Sequence, residues 1–191
     1  MDNGATGPKS VAYQLEFVQW VPFPLEDVFL FFSDPHNLPR IMPSATGTRI
    51  EQLSLVPPPP APGLNSLRKP ETVAGAGSEI VTSFWIAAPL PFRQQWIARI
   101  TEFEWNHHFC DVQVKGPFAS WRHRYELGIE VRNEGSGTVV RDQVEYEIGY
   151  SVLGRAAQKL FVEPQMRSTF AHRQKVLEGL LRASQSLRRG A

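Results

Sequence analysis

The chain has 191 residues, 42% of them apolar and 20% charged, with a formal net charge of +1 and a single cysteine, Cys110. That size suits one domain with a sizeable core, and the composition argues against wholesale disorder. The near-neutral balance supplies no long-range field and argues against duplex nucleic acid or an anionic membrane as the main partner. One cysteine excludes an intrachain disulfide and fits a reducing compartment.

Residues 1–10, "MDNGATGPKS", have no apolar run behind their one lysine. They do not read as a secretory signal, and a flexible tail is expected. No apolar stretch approaches the roughly 20 residues of a membrane-spanning helix, so a cytoplasmic protein is the default expectation. Residues 11–21 mix β-branched, aromatic and polar positions and predict a strand. In "PFPLEDVFLFFSDPHNLPRIMP", Pro24 suits a first helical turn, and Glu26 and Asp27 suit its positive end. Leu25, Val28, Phe29 and Phe32 fall at helical spacing. Ser33 and Asp34 end that helix and cap a short second one over 35–41, stopped before Pro43.

A second strand is predicted over 46–56. The segment 57–77 then opens on four consecutive prolines, which fit neither a helix interior nor a central strand. It is expected to be a long loop, locally polyproline II, and a surface insertion. Four strands follow in "SEIVTSFWIAA", "RQQWIARITEFEW", "HHFCDVQVKG" and "WRHRYELGIEV", the first two joined by "PLPF". The turn "NEGSG", 133–137, leads into "TVVRDQVEYEIG". In Trp121–Val131 the positions Trp121, His123, Tyr125, Leu127, Ile129 and Val131 share the face predicted to be buried. Val140, Asp142, Val144, Tyr146 and Ile148 share the corresponding face of the last strand.

From Val152 to about Leu187 the pattern is helical, with Leu160, Met166, Phe170, Leu177 and Leu181 along one stripe and Glu163, Arg173 and Gln174 on or beside it. Pro164 should kink this helix or begin a second section. The order is strand, two short helices, six strands and a long helix: an α+β layering of one antiparallel sheet and one amphipathic helix. A sheet curled around that helix leaves room for a cavity.

Three elements resemble the START-like, helix-grip superfamily, often called SRPBCC, and its polyketide cyclase/dehydrase-like bacterial branch. They are "PFPLEDVFLFFSDPHNLPRIMP", "FCDVQVKGPFASWRHRYEL" and "GTVVRDQVEYEIGYSVLGR", in that order. The resemblance spans about residues 11–182 of a single domain ending near 187. It implies a curved antiparallel sheet of about seven strands wrapped around a long C-terminal helix, with two short helices after strand one. The proline-rich 57–77 loop and Pro164 depart from the family pattern. The superfamily includes lipid carriers, hormone-binding proteins and aromatic cyclases, and the fold does not choose among them.

His123 carries the sharpest chemistry. A buried imidazole needs a partner, because an unpaired polar group in an apolar interior costs roughly 2–7 kcal/mol. Asp142 and the hydroxyls of Tyr125 and Tyr146 bring the same need, so a polar patch around these residues is expected, served by mutual bonds, water or a ligand. For 107–115 two readings stand. Hydrophobicity turns Cys110, Val112 and Val114 inward, whereas the resemblance turns Phe109, Asp111 and Gln113 inward; a β-bulge near His107 would change the answer. His107, His108 and Cys110 do not make a metal-ligand pattern, so no metal and no cofactor is expected. Arg122 and Arg124 read as the solvated side of their strand, balanced by Glu126, Glu130, Glu145 and Glu147.

The first expectation is therefore a binding or carrier protein for a small hydrophobic molecule, aromatic or lipid-like. Its cavity would be walled by Phe29, Phe32, Trp96, Asp111, Gln113, Trp121, Tyr125, Tyr146, Met166 and Phe170, with His123 and Asp142 orienting a polar group. The alternative is an aromatic or polyketide cyclase-dehydrase in which His123 is general acid or base and Asp142 or a tyrosine orients it or polarises a carbonyl. A third reading makes the 57–77 loop the contact of an interaction module. The sequence leaves monomer or dimer open.

Overall fold

In the computed structural model, which describes residues 12–61, 71–85, 93–148 and 158–189, every strand alternation resolves into one antiparallel sheet. The chain runs β1 (Ala12–Val21), α1 (Leu25–Ser33), α2 (Leu38–Ile41), β2 (Arg49–Ser54), β3 (Glu79–Trp85), β4 (Arg93–Glu104), β5 (His108–Lys115), β6 (Ser120–Arg132), β7 (Gly135–Glu147) and α3 (Glu163–Arg189). Strands β2 to β7 meander in sequence, and β1 pairs with β7, giving the order β1-β7-β6-β5-β4-β3-β2. The two short helices carry the chain from one edge of the sheet to the other. This is the α+β layering expected from the sequence.

The helical pair forms where the local signals agree. Glu26 and Asp27 occupy the first turn of α1, which buries Val28, Phe29, Leu30 and Phe31. Asp34 ends it in extended conformation and caps the next turn, its carboxylate accepting from the His36 N–H at 3.0 Å. The second helix is shorter than expected, because Pro35–Asn37 form a 3₁₀ turn and only 38–41 are α-helical. Phe29 and Phe31 join Val21, Ile41, Leu127, Val140, Leu177 and Leu181 in one core cluster. A second cluster gathers Leu15, Val144, Tyr146, Met166 and Phe170, with Phe17 stacked on Phe170 at 4.2 Å.

Several boundaries differ from the sequence reading. The β6–β7 connection is a two-residue turn at Asn133–Glu134, with Gly135 already paired to Arg132 at φ +117°, a backbone region that glycine enters freely. Ile129 and Val131 share the parity of Tyr125 and Leu127 but are 68% and 74% exposed, because the strand outruns the core after Leu127. Pro164 sits in the first turn of α3, where its missing N–H costs nothing, and a π-helical stretch, Gln158–Val162, precedes it. Leu160 lies in that stretch, 66% exposed and off the helix stripe. The expected tail, the "PLPF" connection and the onset at Val152 lie outside the described residues.

The described ends of the 57–77 loop are pinned. The Ala74 and Gly75 N–H groups donate to Ser33 and Val56 carbonyls at 3.0 and 2.9 Å, and the Trp105 indole donates to the Pro59 carbonyl at 2.7 Å. These bonds hold the base of the loop beside α1. No helix among the described residues is long and apolar enough to cross a membrane.

Candidate ligand cavity

The space between the sheet and α3 is not filled. A cavity of about 490 Å³ lies there, within the range of small-molecule sites. The sheet supplies Ile80, Thr82 and Phe84 from β3, Trp96, Ala98 and Ile100 from β4, Phe109 and Asp111 from β5, and Trp121, His123 and Tyr125 from β6. The α1–α2 corner adds Phe31, Phe32 and Leu38, the 117–118 turn adds Pro117 and Phe118, and α3 adds Gln165, Met166, Thr169, Phe170 and Arg173. Most of these side chains are apolar, and many are aromatic. Trp96 meets Trp121 edge to face at 5.0 Å, and Phe109 stacks on Tyr125 at 4.3 Å.

The open question about β5 is answered against hydrophobicity. Phe109 and Asp111 point to the cavity, whereas Val114 is 48% exposed on the outer face of the sheet. Cys110 is nonetheless buried on that outer face, because Glu102, Arg122 and Arg124 form an ion-paired lattice around its strand. Burial first, and then nearby carboxylates against Arg122, push its thiol pKa up to about 11. The β4–β5 register shifts at two places, between Ile97 and Ala98 and between Ile100 and Glu102, and neither is at His107.

The register then brings the polar residues together. Asp111 lies directly opposite His123 on β5–β6, and Asp142 lies diagonally across β6–β7, opposite Tyr125. His123 is 3% exposed. Its Nε2–H donates to Asp142 Oδ1 at 2.9 Å, and its Nδ1 faces Asp111 Oδ1 at 3.9 Å. The imidazole also packs on the Tyr125 ring at 3.9 Å between centroids. From α3, Arg173 reaches into the same group: one terminal nitrogen lies 3.4 Å from the Tyr125 hydroxyl and 3.5 Å from Asp142 Oδ1. Burial raises the Asp111 carboxyl above its ordinary range, against the pull of His123 and Arg173, and burial likewise raises the Tyr125 hydroxyl. Burial opposes the Arg173 charge, but Tyr125 and Asp142 outweigh it and its pKa rises.

No protein-family model and no curated protein matches the sequence. Solved structures do match. SA2116 from Staphylococcus aureus, a protein of unknown function, superposes with a TM-score of 0.64 at 9% identity, covering 94% of this chain and 99% of that one. TTHA0849 from Thermus thermophilus gives 0.59 at 17% identity, over 90% and 99%. A point mutant of norcoclaurine synthase from Thalictrum flavum, in complex with a transition-state analogue, gives 0.59 at 13% identity, over 94% and 99%. The chain shares the helix-grip fold of these structures. Identities this low establish the fold alone.

Within this helix-grip frame the residues picked out by sequence separate into groups. Phe32, Trp96, Asp111, Trp121, His123, Tyr125, Met166 and Phe170 line the cavity. Asp142 stands behind His123, outside the lining, and holds the ring. Three residues expected in the wall are elsewhere. Phe29 is fully buried in the core against Phe103, Trp105 and Phe109, with no part of it in the cavity wall, although it lies only one turn before Phe32. Tyr146 is sealed under Tyr13, Phe118 and Trp121. Gln113 has the inward parity but is spent on the adjoining turn: its amide donates to the Phe118 carbonyl at 2.8 Å and accepts from the Phe118 N–H at 3.3 Å.

Arg173 is the site residue that sequence reasoning does not select. Its position, three after Phe170 and four before Leu177, places it on the buried helix face, but its charge reads as a stripe-edge residue. The β3 wall escapes too, since Ile80, Thr82 and Phe84 carry no distinctive chemistry. At the β4–β5 turn, His107, His108 and Glu104 cluster with donor atoms within 4.8 Å of one another, and the two imidazoles hydrogen-bond at 2.8 Å. Glu104 thus stands where the sequence pattern offers Cys110.

Proposed function

We propose that the protein binds a small, mainly apolar ligand, aromatic or lipid-like, between the sheet and α3. The observation that carries this reading is the cavity of about 490 Å³, walled by aromatic rings with a few placed polar groups. A similarly folded norcoclaurine synthase has been solved with dopamine and hydroxybenzaldehyde, which is consistent with an aromatic occupant here. Native mass spectrometry of freshly purified protein should show a co-purifying small molecule. Where none is retained, quenching of Trp96 and Trp121 by added naphthalene derivatives should saturate, and Ala98→Trp, which fills the cavity, should abolish it. Quenching that survives Ala98→Trp unchanged, with no retained molecule, sinks the reading.

A second reading, an enzyme of the cyclase or dehydrase kind, is favoured by one observation. Asp142 orients His123 at 2.9 Å, and the next polar group into the cavity is Asp111, whose carboxyl is shifted towards its protonated form. An oriented imidazole and a carboxyl whose pKa burial raises, both facing open space, are the parts needed to move a proton to and from a carbonyl compound. Under this reading His123→Ala abolishes turnover and leaves ligand affinity near normal; under pure binding it changes retention only. The third reading, contact through the 57–77 loop, rests on a segment of which 62–70 lie outside the described residues.

A further inference from the structure

We infer that the ligand carries an acceptor oxygen, a carbonyl or carboxylate, and that Arg173 receives it at the deep end of the cavity. The inference rests on the cavity being a ligand site and says which end of the ligand goes in first.

A guanidinium offers five N–H donors and accepts nothing. Arg173 is only 7% exposed, yet among the described residues its hydrogen bonds are two long ones, both from a single terminal nitrogen. The acceptor in one of them, Asp142 Oδ1, is already engaged by His123 at the shorter distance of 2.9 Å. The other two guanidinium nitrogens have no protein acceptor among the described residues. Arg173 lines the cavity, so that space is where these donors can find a partner. Buried donors of this kind take a partner from whatever fills the space.

The side chain is also held in place. Its guanidinium carbon lies 4.6 Å from the Phe170 ring centroid, 5.6 Å from Tyr125 and 6.0 Å from Phe32. Rings against its faces leave the donor-bearing edges to point outward. The approach is graded as well. Gln165, Thr169 and Arg173 recur every four residues on α3 and all line the cavity, passing from exposed through half-buried to buried. This polar track runs beside an aromatic wall, which suits a ligand with one polar end.

The test uses three probes with one ring system: 2-ethylnaphthalene, 2-acetylnaphthalene and 2-naphthoate, titrated calorimetrically into the full chain. Wild type should bind at least one oxygen-bearing probe about tenfold or more tightly than the hydrocarbon, as a hydrogen bond to a charged group predicts. Arg173→Met should erase that advantage, the favoured oxygen-bearing probe losing about tenfold or more affinity relative to the hydrocarbon; thermal unfolding confirms that the variant is folded. If Arg173→Met does not fold, Arg173→Lys replaces it, and the advantage should shrink and not vanish. Equal binding of all three probes to wild type, or an equal loss for all three in the variant, overturns the inference while leaving the cavity reading intact. Binding of none overturns both. A preference for naphthoate over the ketone identifies the head group as anionic; the reverse identifies a neutral carbonyl.

Discussion

At the scale of single residues, the polar interior is held by a shared carboxylate. Asp142 Oδ1 accepts from both His123 and Arg173, which lie on different layers of the molecule. Its removal leaves Arg173 with a charge in a buried setting and, among the described residues, no carboxylate within hydrogen-bonding distance. Breaking one side of a buried pair typically costs about 3–5 kcal/mol, whereas replacing both partners with apolar groups is often neutral. Asp142→Ala should therefore destabilise the protein by about that amount in urea unfolding. Adding Arg173→Met to it should recover a large part of the loss. A double variant as unstable as the sum of the singles would show that the two side chains do not act as a pair.

At the scale of elements, what the sequence discloses depends on how many independent signals coincide. In α1 the helical spacing, the acidic first turn and the Asp34 cap all agree, and the helix forms where they place it. In β5 two signals conflict: the apolar parity, Cys110–Val112–Val114, lies on the outer face, and Asp111 lies inside. Hydrophobicity fails there because an ion-paired lattice of Glu102, Arg122 and Arg124 covers Cys110 from outside, while the inner face serves a cavity and not a dry core. The parity of β6 is legible through Leu127, but the point where its burial ends is not, since that depends on the reach of neighbouring elements. His123 and Asp142 are legible as a pair from strand parity alone. Arg173 is not, because the identity of its partners is set by sheet register across the layer. The pinned base of the long loop is equally invisible. At Gly75 an added Cβ would lie 2.6 Å from Pro58 Cα and 2.8 Å from the Val56 carbonyl oxygen, both backbone atoms. Gly75→Ala must therefore push the two ends of the loop apart, at a cost of about 1–3 kcal/mol. The shift should appear as a lowered melting temperature and faster proteolysis between 57 and 77. An unchanged melting temperature would mean that the loop base yields freely.

For the molecule as a whole, the helix-grip arrangement keeps stability and binding in tension at one place. A sheet and helix that closed fully would bury Asp111, His123, Asp142 and Arg173 in a dry core; the open space between them lets these groups meet a ligand or water. Asp111 registers this tension as a dependence on pH. Its folded-state pKa is raised, chiefly by burial, so the native state holds the proton more tightly than the unfolded chain does. Stability then falls with rising pH wherever the native state binds more protons. The contribution is fully present below the unfolded carboxyl value of about 4 and is lost as pH climbs through the higher folded value. Asp111→Asn keeps the size and donor capacity of the neutral carboxyl and removes the titration. The difference in unfolding free energy between variant and wild type should move in favour of Asp111→Asn as pH rises from about 4 towards neutrality. A difference that stays flat with pH, or moves the other way, would show that burial does not raise the Asp111 carboxyl in the folded protein.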